Sequence, residues 1–102
     1  MKDKMRAAQA ELRHLLEANE LTAGMYVRVH GEHLIAGRKE LTGTGGPRED
    51  DDRVRFTHLP RGRYGLSVKR HTGRWEKTPF TGSMRETVDA VCSFMQHLVA
   101  PH

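Results

Sequence analysis

Cysteine is nearly absent. Cys92 is the only one in 102 residues, so no internal disulfide can form and a cysteine-based zinc cluster is excluded. No apolar run approaches the roughly 20 residues of a membrane-spanning helix, and mean hydropathy is −0.70. The opening Met1-Lys2-Asp3-Lys4 leads into charged sequence, with no apolar core of a secretory signal. Aromatic residues make up only 6% of the chain, so base-stacking platforms and core-filling rings compete for the same few side chains. Charge is only mildly one-sided, 17 Lys plus Arg against 13 Asp plus Glu, a formal +4. These features describe a single soluble domain, expected in the cytoplasm and away from membranes, with one modest core.

What is present is a clear change of period. Met1, Met5, Ala8, Leu12, Leu15 and Leu16 recur at helical spacing, and Asn19 offers a helix end, so a helix is expected up to Asn19. From Met25 the period is two. Met25, Val27 and Val29 alternate with Tyr26, Arg28 and His30, and Gly31-Glu32 suits a two-residue hairpin turn. That turn pairs Val29 with Leu34 and Val27 with Ala36, while His30 meets His33 on the other face. Residues 42–52, TGTGGPREDDD, lack both apolar residues and period and read as a flexible Gly-rich and acidic loop. Val54 and Phe56, then Tyr64, Leu66 and Val68, mark two further strands around a break at Pro60-Arg61-Gly62. A last short strand over Trp75–Lys77 is expected to stop before Pro79.

Ser83 followed by Glu86 forms a capping box for a final helix. Its apolar face is expected to carry Met84, Val88, Val91, Cys92, Phe94, Met95, Leu98 and Val99 as far as residue 99. The order α-β-β-β-β-β-α and two amphipathic helices imply an α+β two-layer sandwich. An antiparallel sheet of four or five strands would carry both helices on one face.

The opposite face is the candidate site. Alternation sends Arg28, Arg53, Arg55, Arg63 and Lys69 outward, joined by Lys77, with Tyr26 as the one outward aromatic and no acid among the alternating positions. A stripe of that kind can follow a phosphate backbone or meet an acidic protein surface. The competing reading is a solvated face whose long arginine stems cover the sheet. Edge strands would also permit a homodimer.

Other motifs carry less. His30 and His33 are a candidate pair of metal ligands, but a zinc site wants three or four and no further ligand follows from the spacing. Thr42–Gly46 resembles a phosphate loop only in its glycines, because Glu49-Asp50-Asp51-Asp52 follows where a cation is needed. Tyr64 and Trp75, which bracket the fourth strand, are candidates to flank a pocket. Cys92 lies on the apolar helix face and Ser83 is used as a cap, leaving no catalytic constellation or cofactor motif to assign. The expectation is a binding or interaction domain without a cofactor, with an accessory role through oligomerisation as the alternative.

Overall fold

Helix α1 runs over Lys2–Glu17 and buries Ala8, Leu12 and Leu16, the stripe that its sequence period sets out. The computed structural model describes residues 2–41 and 48–99. The helix ends without a left-handed Asn19; among the described residues only Arg61 has a positive φ without being glycine. Instead Thr22, fully buried, donates its hydroxyl to the Leu16 carbonyl at 2.7 Å, and Asn19 Oδ1 accepts from the Leu21 N–H. The orphan carbonyl at the helix end is thus satisfied by a side chain.

Five strands follow, β1 (Tyr26–His30), β2 (His33–Leu41), β3 (Arg48–Leu59), β4 (Arg63–Lys69) and β5 (Trp75–Gly82). They form one antiparallel meander in the order β1-β2-β3-β4-β5. The first hairpin has the expected register, Val29 opposite Leu34 and His30 opposite His33, with Gly31 at φ 61 in the turn. Between β3 and β4 a short 3-10 turn, Pro60–Gly62, reverses the chain, with Arg61 and Gly62 both at positive φ.

Two bulges change the simple alternation. Ala36 pairs with Val54 but Gly37 pairs with Asp52, so Arg53 is the extra residue. The acidic stretch is therefore strand and not loop from Arg48 onward; residues 42–47 of the expected loop lie outside the described residues. Long β2 supplies the backbone partners that hold Asp50 to Asp52 extended. The second bulge lies in β5, where Gly65 faces Thr81 but Ser67 faces Lys77. The strand continues through Pro79, contrary to the sequence expectation. Thr78 makes this possible, because its hydroxyl donates to Leu66 O at 2.8 Å at the point where Pro79 has no N–H to give.

Helices α2 (Met84–Phe94) and α3 (Gln96–Val99) close the chain. Ser83 and Glu86 make the full reciprocal capping box, at 3.1 and 2.9 Å. The expected continuous helix breaks at Met95, which leaves helical geometry at φ −123. Phe94, the last residue of α2, is 67% exposed, while Met95 and Val99 lie in the core. All three helices contribute to one layer over a core centred on Phe56, Val54, Leu34 and Leu66. The α+β two-layer arrangement, with an open second sheet face, follows directly.

Candidate functional site: the open sheet face

Register places the outward residues in rows across all five strands. One row reads Arg28, Ile35, Arg55, Ser67, Lys77, each opposite the next. Its three cations stand on alternate strands, about 10 Å apart at a strand spacing near 4.8 Å. Beneath them Ile35 and Ser67 are only 3% exposed although no helix among the described residues covers this side. Long side chains cover the sheet here, as arginine stems can.

Trp75 belongs to this face. It pairs with Lys69, so both project the same way, and the Arg55 guanidinium lies over its ring at 5.0 Å, with Lys69 Nζ at 5.9 Å. Tyr64 instead faces the helices and is buried, so the two aromatics lie on opposite sides of the sheet and flank no common pocket. Among the described residues Arg55 Nε is buried without a hydrogen-bond partner.

Next to this row sits a carboxylate network. Tyr26 donates to Asp52 Oδ1 at 2.5 Å, and Arg28 reaches both Asp52 oxygens at 3.2 and 2.6 Å. Lys69 Nζ is 4.0 Å away. Gly37 makes room for it, since a Cβ there would stand 2.6 Å from the Tyr26 hydroxyl and 2.1 Å from Asp51 O. Burial alone would raise the Asp52 carboxyl, but the hydrogen bonds from Arg28 and Tyr26 with the Arg28 charge outweigh it and hold it below its usual range. Burial and the same carboxylate push the Tyr26 phenol up.

The third row carries His30, His33, Thr57, Gly65 and Thr81. The two imidazoles stack with centroids 6.5 Å apart. His33 Nδ1 is 2.9 Å from the Thr57 hydroxyl. Burial, then the Arg55 and His30 charges, lower the His33 pKa. Among the described residues no group of three potential ligands gathers here or elsewhere. Arg63 lies at the far end of β4 and donates to Thr81 at 2.9 Å. Burial likewise raises the Cys92 thiol, which rules against an activated nucleophile there.

Arg53 is not on this face. The β2–β3 bulge turns it toward the helices, where it is 11% exposed and donates to Leu98 O at 2.6 Å and to Asp51 at 2.8 Å. Arg38 lies beside it and donates to Val99 O, Ala23 O and Leu21 O at 2.8, 3.0 and 2.8 Å. These two arginines fasten the α1–β1 connection and the last helix to the sheet. Asp52 takes the outward place that the alternation assigned to Arg53.

Of the expected site residues, Arg28, Arg55, Lys69 and Tyr26 come together, with Lys77 in the same row, while Arg63 stands apart. Trp75, Asp52 and Ile35 were missed. Trp75 was legible from the turn at residues 70–74, since the partner of an outward Lys69 shares its face. Asp52 had one signal, the isolated Gly37 within a strand, which marks a bulge. No protein-family model, curated protein or solved structure matches this chain.

Proposed function

We propose that this protein is a non-enzymatic binding domain that holds a single-stranded nucleic acid across the open sheet face. The observation that carries the reading is Arg55, stacked on Trp75 with a buried and unpaired Nε, in a row with Arg28 and Lys77. Cations near phosphates supply affinity, and the half-buried indole is a ring against whose face a base can stack. Asp52 already occupies Arg28, so part of the positive field is met within the molecule. An acidic protein partner would use the same cations but would not need the indole.

The test uses the chain's single tryptophan as its own reporter. Single-stranded DNA and RNA oligonucleotides are titrated at several salt concentrations, following anisotropy and Trp75 emission together. Binding should quench Trp75, and log affinity should fall with log salt by about 0.7 per phosphate contact. Arg55→Ala and Lys77→Ala should each flatten that slope. Arg53→Ala, whose side chain is on the other face, should leave it unchanged. Loss in Arg53→Ala equal to that in Arg55→Ala, or no binding at low salt, defeats the reading.

A second reading, assembly into a homodimer, rests on Phe94. It is exposed and stacks on Phe80 with centroids 5.4 Å apart beside the edge strand β5. Sedimentation equilibrium checks it: a dimer should become a monomer in Phe94→Ser.

A further inference from the structure

Away from the open face, a groove of about 720 Å³ runs between the first turns of α1 and the edge strand β1. That volume falls in the usual range of small-molecule sites. Its floor is apolar. Met5 contributes from the helix and Val29 from the strand, and Val29 stays 40% exposed although its side chain points to the helix side of the sheet. Helix α1 covers Val27 of β1 but leaves Val29 open.

The rim has one dominant sign. Lys4 and Arg6 flank Met5 on the helix, and Arg28 reaches in from the strand. Lys4 and Arg6 make no ion pair among the described residues, whereas Arg28 is held by Asp52. Among the described residues Glu32 is the only carboxylate in the lining, at the hairpin turn, and His58 closes the inner side, its ring and that of Tyr64 in a T-shaped contact at 5.5 Å.

The backbone decides between a peptide strand and a small molecule. A two-residue turn makes His30 and His33 a hydrogen-bonded pair, so Val27 and Val29 direct their N–H and C=O groups to the open edge. The Val27 carbonyl is already taken by Gln9, whose amide donates to it at 2.7 Å. An added strand could not pair past that point. Val29 alone still offers both its N–H and its C=O, too short a run for an added peptide strand.

We propose that this groove binds an amphipathic anion of the fatty-carboxylate class, its chain against Met5 and Val29 and its carboxylate between Lys4 and Arg6. The inference does not rest on the nucleic-acid reading: Arg28 borders both sites, but the carboxylate is assigned to Lys4 and Arg6, which lie outside the open face.

The probe is monomeric sodium decanoate, titrated into the isotope-labelled full chain below its micelle concentration and followed by amide NMR shifts and calorimetry. Shifts should centre on Val29, Gly31 and residues 4–9. Decyltrimethylammonium should bind at least about tenfold more weakly, the value of one charge-assisted contact. The double variant Lys4→Gln/Arg6→Gln should lose a similar factor for decanoate. Val29→Glu, at an exposed position, should abolish binding while the remaining amide spectrum shows an intact fold. Several outcomes would overturn the proposal: no shifts at millimolar decanoate, shifts centred on Phe80 and Phe94, or equal affinity for the cationic amphiphile. Binding to phosphatidylglycerol vesicles without binding to decanoate would overturn it too.

Discussion

The two faces of this sheet follow the same alternation along the same strands, yet they are stabilised in different ways. The helix side holds Phe56, Leu34, Leu66 and Val54 at 0–1% exposure under three helices. Among the described residues the open side has no second layer and covers Ile35 and Ser67 with its own charged and aromatic side chains. One face is closed by hydrophobic burial, which is insensitive to small changes in solution. The other is closed by a cation over an indole and by a carboxylate network, which can be opened by a competing ligand, by salt or by protons. That difference suits the open face to binding and the helix face to stability.

The sharpest way to break the comparison is to remove one ring from each region. Phe56→Ala should lower the unfolding free energy by about 3–5 kcal/mol, because a fully buried ring leaves a cavity. Phe94→Ala should cost under about 1 kcal/mol, since most of that ring is already in water. Urea unfolding of the two variants measures both, and equal losses would refute the distinction.

Next in size is the hinge between the faces. Gly37→Ala forces a methyl to within 2.1 Å of Asp51 O and 2.6 Å of the Tyr26 hydroxyl, so the bulge must shift. A loss of about 1–3 kcal/mol is expected, as for other overpacked sites. NMR should show the disturbance at both Asp52 and Arg53, because the bulge sends these neighbours to opposite sides. An unperturbed Arg53 amide would mean that Gly37 does not set the bulge.

The arginines sharpen the comparison further. Arg53→Ala strips the Leu98 carbonyl of a short bond on the helix side and should destabilise by about 1–3 kcal/mol. Arg55→Ala removes a guanidinium whose Nε has no partner, so its cost should stay within about 1 kcal/mol while anion binding falls. The two residues are two apart in sequence and look alike there. Thermal unfolding of each separates them.

That pair also shows what the sequence could and could not convey. Period-two runs and the capping box determine the element types, the first hairpin register and the helix-bearing face, because these depend on local spacing and on which side chains are apolar. Arg53 is itself the inserted residue, midway along β3, and an extra residue reverses every side chain beyond it. Ser67, Ile35 and Trp75 depend on cross-strand neighbours brought together by register. Phe94 sits on the apolar stripe of an ideal helix, but the chain leaves that helix one residue later. Local patterns were legible; the offsets that accumulate over several strands were not.

The smallest expected effect is the pH dependence of the open face. Asp52 is held below its usual range when folded, so its contribution is present above about pH 4 and is lost as pH falls through the folded value. His33 is also lowered. The folded state resists its protonation, and stability declines as pH drops below about 6.5. Tyr26 is raised, so its contribution is intact below about pH 10 and is lost above it, where the unfolded chain gives up the phenolic proton first. Other groups titrate over the same range, Tyr64 on the helix side among them, so the informative quantity is the difference between wild type and variant. Urea midpoints measured from pH 3 to 11 should show Asp52→Asn converging with wild type in acid and falling behind above about pH 4. Tyr26→Phe should close its gap above about pH 10. A constant difference for both variants across that range would mean that the network does not tie Asp52 and Tyr26 as tightly as the bonds at 2.5 and 2.6 Å require.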